Sequence, residues 1–386
     1  MSFPISEEQQ MLVDTVRSFV EKELYPHEDL VESLDDVPAD LAAQIQKNAI
    51  ELGLYAANMP AEHGGGGLDA LSFTLMEREL GRAGYALHMC VARPSNILQG
   101  CKGEQIERYL VPTIKGERHD CLAMTEPGAG SDVRSMKTRA EKRGDTYIIN
   151  GSKHFISHAD KADYVILFAA TGYEETKRGK KALISAFLVD MGTPGFKMQR
   201  GPHCVSHRGY HQCELYFDDC VVHKYQLLGE EGCGFDLIND WLGSTRLTVA
   251  ATSVGRAQRA FELALDWASQ RQQFGEKIGR FQGVSFQLAD MATEIAASDL
   301  LTLTAADKLD KGTVTDMDYA MAKLFATETL SRVTDKALQI YGGMGLMNSL
   351  KLERLWRDAR VERIWDGTSE IQRHIISRAL LRPLGC

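Results

Sequence analysis

The residues whose types could do chemistry fall into four short motifs. The first is the loop at 125–132, with the sequence TEPGAGSD. Its proline and glycines predict a tight turn whose backbone N–H groups can face a ligand, and an ordinary turn is the alternative explanation. No strand–helix–strand unit surrounds the loop, so it does not match the dinucleotide-binding fingerprint.

The other three motifs lie in the C-terminal third of the chain. They are RQQFG at 271–275 followed by Phe281 and Gln282, QIYGG at 339–343, and IWDGTSEIQR at 364–373. Asp366 could cap a helix that begins near Thr368. Taken singly, each motif could equally serve packing, capping or a surface ion pair.

Three segments must position these motifs. Residues 1–118 show helical periodicity, with a capping box at Ser6 and Gln9 and predicted helices at 39–54, 71–80 and 96–110, the last ending before Pro112. Residues 119–225 are rich in β-formers, with strands predicted at 146–149, 153–157, 164–169, 183–190 and 213–222. Asn150-Gly151 predicts a hairpin turn between the first two. Residues 226–386 return to long amphipathic helices, predicted at 235–270, 281–310 and 316–340, and these predict an antiparallel bundle.

The bulk composition limits the class of protein. The chain has 386 residues, is 44% hydrophobic and 25% charged, and carries a net charge of −9, which is typical of a globular protein. The acidic balance gives no reason to expect binding to nucleic acid or to an anionic membrane. The N-terminus resembles neither a signal peptide nor a transit peptide, and no apolar run is long enough to span a bilayer. Eight scattered cysteines favour reduced thiols, so we expect a cytoplasmic protein.

The four motifs, in this order, closely resemble the acyl-CoA dehydrogenase family over essentially the whole chain. The resemblance implies an α+β fold with an N-terminal helical domain at 1–118, a small β-barrel-like domain at 119–225 and a C-terminal four-helix bundle at 226–386. It also implies FAD as cofactor, an acyl-CoA substrate, an electron-transfer flavoprotein as electron acceptor and a homotetramer. The reaction implied is α,β-dehydrogenation, with a carboxylate removing the α-proton while the β-hydrogen leaves as hydride.

The resemblance assigns the cofactor-binding residues to two groups. Those expected on the subunit that holds the flavin are Leu122, Met124, Thr125, Gly130, Ser131, Phe155, Ser157, Thr368 and Glu370. Those expected from a neighbouring subunit are Arg271, Phe274, Gln282, Gln339 and Gly343. Phe155 and Ser157 replace the usual Trp and Thr; the serine keeps a hydroxyl, and the phenyl ring can still shield a flavin face.

The resemblance also assigns the base and the substrate contacts. Asp366 stands where most relatives have Glu, and its carboxylate sits roughly 1.5 Å further back because it lacks one methylene. Some relatives supply the base from the helix that carries Thr245 and Arg246, but residues 242–245 of this chain offer no carboxylate. Ser131, Thr245, Arg246 and Arg378 are the expected contacts with coenzyme A.

Several departures keep alternatives open. Aspartate at the base position also resembles nitroalkane oxidase and some dehydrogenases of cyclic acyl-CoAs, and an enoyl-CoA reductase-type or catalytically idle relative is a further alternative. Arg93 either points outward or selects a polar acyl tail. The usual pattern near residue 210 is replaced by HRGYHQC, but the nearby histidines and cysteines match no zinc spacing, so we predict no metal site.

Overall fold

The computed structural model describes residues 3–91, 94–176 and 179–385. Its elements follow the order predicted from the sequence, with helices on either side of a sheet. The N-terminal helices are α1 (Glu7–Phe19), α2 (Glu28–Leu34), α3 (Ala39–Glu51), α4 (Ala70–Leu80), α5 (Tyr85–Val91) and α6 (Val111–Ile114). The predicted capping box is present. The Ser6 hydroxyl accepts from the backbone N–H of Gln9, and the Gln9 side-chain oxygen accepts from the backbone N–H of Ser6.

The continuous helix predicted at 96–110 is wrong. A 3₁₀ turn at Asn96–Gly100 and a π-helical turn at Ile106–Leu110 replace it, with irregular chain between them. The predicted stop before Pro112 is also wrong, since α6 includes this proline in its first turn. A proline is tolerated there because the first-turn N–H groups have no partner within the helix.

An eight-stranded mixed sheet forms the central part of the chain. Its strands are β1 (Asp120–Ala123), β2 (Arg139–Arg143), β3 (Thr146–Ser157), β4 (Tyr164–Thr176), β5 (Gly179–Asp190), β6 (Phe196–Arg200), β7 (Gln212–His223) and β8 (Leu227–Leu228). The order across the sheet is β6-β7-β3-β2-β4-β5-β8, and β1 pairs in parallel with β4. One face packs against the N-terminal helices through buried residues such as Phe168 and Ile184, and the other carries its own core around Phe187 and Leu215.

The hairpin predicted at Asn150-Gly151 is wrong. The two predicted strands are one strand, β3, and both halves pair with β7. Gly151 has φ 146° and marks a shift in the register, which makes it a bulge rather than a turn. A methyl group at Gly151 would lie 2.6 Å from the Cα of Thr138, so glycine is required there by close packing as well.

Long helices form the C-terminal part. They are α7 (Gly234–Gln270), α8 (Gln282–Asp310) and α9 (Asp316–Tyr341), followed by the shorter α10 (Leu352–Glu362) and α11 (Ser369–Leu381). Two short strands, β9 (Gln272–Gln273) and β10 (Glu276–Lys277), connect α7 to α8. Buried alanines, leucines and valines of α7, α8 and α9 fill the interior of this bundle. In the described part of the chain, no helix combines the length and the apolar character needed to cross a membrane.

The loop between β6 and β7 ties the sheet to the C-terminal helices. Ser206 donates from its hydroxyl to the carbonyl oxygen of Arg357, and the backbone N–H of His207 donates to Asp358 at 2.6 Å. This loop therefore docks on α10, the helix that leads directly into the 364–373 motif.

Candidate active site

The 125–132 loop begins where β1 ends. Leu122 lies in β1 and is partly buried, and Met124 and Thr125 follow it, also partly buried. The backbone of the loop then turns tightly, since Glu126 and Ala129 exchange backbone hydrogen bonds of 3.0 and 3.1 Å. The cofactor residues expected on β1 and in this loop are thus adjacent in space.

A buried ion pair fixes this loop from below. Lys153 of β3 is fully buried, and its Nζ donates to the carbonyl oxygen of Met124 and to Glu126, both at 2.9 Å. Glu126 also accepts from the backbone N–H groups of Lys137 and Thr138. Burial lowers the pKa of Lys153 to about 8, whereas Lys153 outweighs the effect of burial on Glu126 and holds its pKa below the usual range.

The β-domain side of the site offers an open, partly aromatic surface. Phe155 is 62% exposed and has φ 56°, so its ring projects from the surface of β3. Ser157 is partly buried, and its hydroxyl donates to Gln212 of β7 at 3.1 Å. Gly130 and Ser131 are exposed, and a methyl group at Gly130 would meet no atom within 4 Å. These residues fit a flat ring system lying against the sheet, with exposed backbone beside it for polar contacts.

Asp366 lies on a turn between α10 and α11, and the carbonyl groups of residues 365–367 are hydrogen-bonded. Nζ of Lys323, from α9, donates to the carbonyl oxygens of Trp365 and Gly367 at 2.9 and 2.8 Å. Nε2 of Gln372 donates to the carbonyl oxygens of Asp366 and Gly367 at 3.3 and 2.8 Å. The turn contains two successive left-handed residues, Asp366 with φ 51° and Gly367 with φ 93°. Donors from two helices therefore fix an otherwise unfavourable backbone conformation.

Thr368, rather than Asp366, caps the last helix. Its hydroxyl accepts from the backbone N–H of Ile371, and α11 begins at the next residue. The capping alternative considered for Asp366 is therefore wrong. Glu370 is exposed in the first turn of α11.

Two cationic side chains lie near the Asp366 turn. Arg246 of α7 is 8% exposed, and its Nη2 would lie 3.9 Å from a methyl group at Gly367. Burial lowers the pKa of Arg246, and burial lowers the pKa of Lys323 to about 8, although the carboxylate of Asp366 acts in the opposite direction on both. The electrostatic environment of Asp366 is thus positive, because the charges of Arg246 and Lys323 both interact with its carboxylate.

The remaining expected substrate contacts are distributed around this turn. Thr245 is partly buried next to Arg246, and the adjacent Ser244 accepts from Nδ2 of Asn96 at 2.8 Å, which links α7 to the segment after α5. Arg378 is exposed on α11. Arg93 lies outside the described residues. Among the residues that the structure describes, no three His, Cys, Asp or Glu side chains come together as a group that could bind a metal.

The second group of expected cofactor residues lies together at the far end of the C-terminal helices. Arg271, Phe274, Gln282, Gln339 and Gly343 are all exposed. Stacking of Trp267 on Tyr341, with ring centroids 4.7 Å apart, brings the end of α7 beside the end of α9. Phe274 is 95% exposed, although it is a large apolar side chain. From Arg246 to its last residue, α7 runs for roughly 36 Å, so this group is remote from the Asp366 turn of the same chain.

Sequence reasoning missed the residues that support the site. Lys323, Gln372, Lys153 and Glu126 are buried, and each of them fixes a loop that carries a predicted site residue. For Lys323 a signal exists in the sequence, because a lysine inside the apolar run AMAKLFA sits on a buried helix face and must find partners there.

Comparison with known proteins identifies the family. Three family models match consecutive parts of the chain: "Acyl-CoA dehydrogenase, N-terminal domain" at 6–117, "Acyl-CoA dehydrogenase, middle domain" at 121–220 and "Acyl-CoA dehydrogenase, C-terminal domain" at 232–381. Together they cover well over half of the sequence. The chain belongs to the acyl-CoA dehydrogenase family, whose members are oxidoreductases that act on CH–CH groups.

Relatives with different names match over almost their full length. An "Acyl-CoA dehydrogenase" of Bacillus subtilis (strain 168) is 38% identical, covering 98% of this chain and 99% of the relative. A "3-(aryl)acrylate reductase" of Clostridium sporogenes is 35% identical with the same coverage. The "Caffeyl-CoA reductase-Etf complex subunit CarC" of Acetobacterium woodii is 36% identical, covering 98% of this chain and 99% of the relative.

Solved structures agree with the described fold. Butyryl-CoA dehydrogenase from Megasphaera elsdenii superimposes with a TM-score of 0.90 at 33% identity, covering 99% of this chain and 100% of the other. A structure described as the "FAD complex of PigA" gives a TM-score of 0.91 at 29% identity, covering 98% and 99%. The predicted fold class is therefore confirmed.

Proposed function

We propose that this chain binds FAD and removes the α-proton and the β-hydride of an acyl-CoA thioester, with Asp366 as the base. The observation that carries the proposal is the turn at 365–367, where Lys323 and Gln372 hold the backbone and Arg246 lies alongside. A base must be held in one place to be effective, and this turn provides that rigidity. Family membership supplies the reaction class.

The residues of this chain have defined parts in the proposed reaction. The Asp366 carboxylate accepts the proton from the α-carbon, and the backbone N–H of Asp366 stabilises negative charge on the thioester oxygen as the proton leaves. The chemistry that FAD supplies when bound is acceptance of the hydride from the β-carbon. Phe155 and the 125–132 loop hold the ring system, while Ser131, Thr245, Arg246 and Arg378 are the proposed contacts with coenzyme A.

FAD as the cofactor, in a site shared between subunits, is supported by the position of Arg271. Arg271 and the other cofactor residues expected from a neighbouring subunit lie roughly 36 Å from Arg246, measured along α7. The 125–132 loop, in contrast, lies at the end of a strand of the sheet. This separation supports a site in which the second group comes from another copy of the chain. The structure called "FAD complex of PigA" supports FAD as the dinucleotide, and a homotetramer is the assembly that we propose.

Electron-transfer flavoprotein is the proposed electron acceptor, and the printed name of the Acetobacterium woodii relative, which includes an Etf complex, supports it. The seven cysteines among the described residues are free thiols, which is typical of a reducing compartment. A cytoplasmic location is therefore part of the proposal.

A second candidate is the reverse reaction, reduction of an aryl-substituted enoyl thioester. Two of the relatives are named as reductases, one of a 3-(aryl)acrylate and one of caffeyl-CoA. Nitroalkane oxidation is the third candidate, because it also uses an aspartate at the base position.

One experiment separates the candidates. The oxidised enzyme is mixed without oxygen with butyryl-, isobutyryl-, cyclohexanecarbonyl- or 3-phenylpropionyl-CoA, or with nitroethane, and flavin bleaching is followed near 450 nm. We expect bleaching by one class of acyl-CoA and formation of the corresponding enoyl-CoA. Bleaching by nitroethane alone would contradict the proposal. Rapid reoxidation of pre-reduced enzyme by cinnamoyl-CoA, with little bleaching by any acyl-CoA, would favour the reductase.

A further inference from the structure

A buried cluster of four ionisable side chains lies behind Trp365. His207 comes from the β6–β7 loop, Arg256 from α7, and Asp358 and Glu362 from α10, and all four are less than 10% exposed. Arg256 donates to Glu362 at 2.5 Å. The imidazole of His207 lies between the two carboxylates, with Nε2 3.2 Å from Glu362 and Nδ1 3.5 Å from Asp358.

The charges within this cluster balance when His207 is protonated. Two carboxylates and one guanidinium otherwise leave a net negative charge, which is costly to bury, and Lys323 also acts on Glu362 from outside the cluster. Burial acts to lower the pKa of His207, but Asp358 and Glu362 outweigh burial and raise it. In turn, His207 and Arg256 outweigh burial for Asp358 and lower its pKa to about 2. The position of the imidazole between two carboxylates therefore favours its protonated form.

The same cluster contacts the residue that precedes the proposed base. Oε2 of Glu362 accepts from Nε1 of Trp365 at 2.7 Å. The imidazole of His207 stacks on the indole, with centroids 5.0 Å apart and planes 25° apart, and the ring of Tyr85 packs against both. Since Asp366 follows Trp365 directly, loss of the hydrogen bond to Glu362 would remove one of the contacts that anchor the turn carrying the carboxylate.

The backbone of His207 is itself strained. Its φ is 52°, a left-handed conformation that is uncommon for residues other than glycine. Such a conformation persists when the surroundings over-determine it, and here the backbone N–H bond to Asp358 and the two ring stacks do so. A histidine kept at a position that favours glycine has a role for its side chain.

We propose that His207 is a positioning residue for the reaction: its imidazolium balances Asp358 and Glu362, so that Glu362 holds the indole of Trp365 and thereby the turn that carries Asp366. This inference rests on the proposed function of Asp366. It predicts an effect on proton abstraction without an equal effect on the binding of acyl-CoA or FAD.

The test uses the purified holoenzyme and the member of the acyl-CoA panel that reduces wild-type flavin fastest. His207→Asn tolerates the left-handed backbone but removes the imidazolium. We expect the rate constant of anaerobic flavin reduction to fall about 10- to 100-fold, the size expected for a charged hydrogen bond, with the dissociation constant of the acyl-CoA changed less than about threefold. His203→Asn, at an exposed histidine of the same loop, is the control, and its flavin should be reduced at the wild-type rate.

A second substitution tests the charge balance. In the double variant His207→Asn/Glu362→Gln, the cluster is neutral again and the glutamine carbonyl can still accept from the indole. We expect it to recover about tenfold of the lost rate relative to His207→Asn, a coupling that a double-mutant cycle measures. A double variant that reduces flavin more slowly than His207→Asn would overturn the proposal. That result is expected if each substitution only damages the packing, because the second substitution then slows the reaction further instead of restoring it.

A further variant keeps the inference testable if His207→Asn does not fold. Trp365→Phe retains a ring but removes the N–H donor, and should slow flavin reduction at least tenfold, whereas Trp356→Phe, at a tryptophan 44% exposed on α10, should not. If flavin is reduced at the wild-type rate in Trp365→Phe, or in His207→Asn, the inference is overturned. If Asp366→Asn also reduces flavin normally, the proposed function fails as well; if it does not, only the inference fails.

Discussion

Asp366 occupies a backbone conformation that few residue types tolerate. At φ 51° it is in the left-handed region, which aspartate and asparagine adopt more readily than other residues with a Cβ. The longer glutamate of most relatives would extend the carboxylate by one methylene, so this chain combines a favourable turn residue with a shorter reach. A substrate whose α-carbon lies closer to the backbone suits this geometry.

The first prediction concerns that carboxylate. Asp366→Asn keeps the shape and the turn preference but removes the ability to accept a proton. The rate of anaerobic flavin reduction by acyl-CoA should fall by a factor of about 10²–10⁴ or more, while FAD content and acyl-CoA binding stay near wild type. Asp335→Asn, at an exposed position of α9, is the matched control. Wild-type reduction by Asp366→Asn would show that the proton goes elsewhere.

The second prediction concerns the pH dependence of stability. Burial lowers the pKa of His158 to about 4 from 6.5. Between these values the unfolded chain binds a proton that the folded chain does not, so the free energy of unfolding falls as pH falls from 6.5 towards 4. The variant His158→Asn keeps the left-handed φ of 61°. Over this pH range its free energy of unfolding should fall by about 1–3 kcal/mol less than that of the wild type, because His158 is only partly buried.

The measurement is urea denaturation of the holoenzyme at pH 7 and pH 4.5. His374→Asn, at an exposed histidine, should retain the acid sensitivity of the wild type. Equal loss in His158→Asn and wild type would assign the acid sensitivity to other groups.

At the scale of single residues, the sequence predicts the groups that we propose to act and misses the buried groups that hold them in place. Asp366, Thr125 and Arg271 lie within contiguous motifs, which can be recognised from the sequence alone. Lys323 is far from Trp365 in sequence, yet it donates to its carbonyl at 2.9 Å. Such contacts depend on which helix faces are packed together, and periodicity alone does not give that arrangement.

Among the elements, the long helices were predicted almost to the residue, and the errors concentrate in the sheet and in the segment after α5. A 3.6-residue period repeated over many turns gives a redundant signal for α7, α8 and α9. Asn150-Gly151, in contrast, is a two-residue signal, and the tertiary pairing of β3 with β7 along its whole length overrides it. The split of 96–110 had a signal in the sequence that the prediction overlooked, since Gly100 ends the first turn and Gly103, with φ 56°, lies between the two turns.

The third prediction concerns the crossing of α4 and α7. A methyl group at Gly255 would lie 1.8 Å from the carbonyl oxygen of Arg78, and one at Gly81 would lie 2.4 Å from the Cα of Thr252. Both obstacles are backbone atoms, so the helices would have to separate. Gly255→Ala should therefore lower the free energy of unfolding by about 1–3 kcal/mol, even though alanine favours a helix by about 1 kcal/mol.

Chemical denaturation of the holoenzyme measures this effect. Gly283→Ala is the control, since a methyl group in this first turn of α8 meets no atom within 4 Å, and its stability should be unchanged or slightly higher. A Gly255→Ala protein as stable as Gly283→Ala would mean that the crossing is looser than the described packing.

The whole molecule is organised by the length of α7. This helix begins beside the sheet, where Cys233 pairs with Ile184 of β5, passes the Asp366 turn at Arg246, and ends at the exposed group around Arg271. Phe274 and Phe281 are exposed at that end of the single chain, as expected for a surface that the proposed homotetramer would cover.

The fourth prediction tests that end of the molecule. Arg271→Ala removes a bidentate donor for the pyrophosphate, so FAD occupancy should fall about tenfold, and the assembly should dissociate at higher protein concentration because bound cofactor stabilises it. The absorbance ratio of flavin to protein and sedimentation velocity measure the two effects. Arg280→Ala, at a 72% exposed arginine of the same connection, is the control. A wild-type protein that is monomeric and fully loaded with FAD would contradict the shared site.

The Asp366 turn lies beside Arg246, near the middle of α7, and Arg271 lies at the end of this helix. Their separation has a consequence that a genetic experiment can detect. If each cofactor is held by two chains, a chain carrying Asp366→Asn and a chain carrying Arg271→Ala lack different halves of a site. When the two are co-expressed, a mixed assembly contains some sites that pair the intact base of one chain with the intact arginine of the other. Two inactive alleles should then complement each other and restore dehydrogenation, whereas self-contained sites would give only the sum of two deficient proteins.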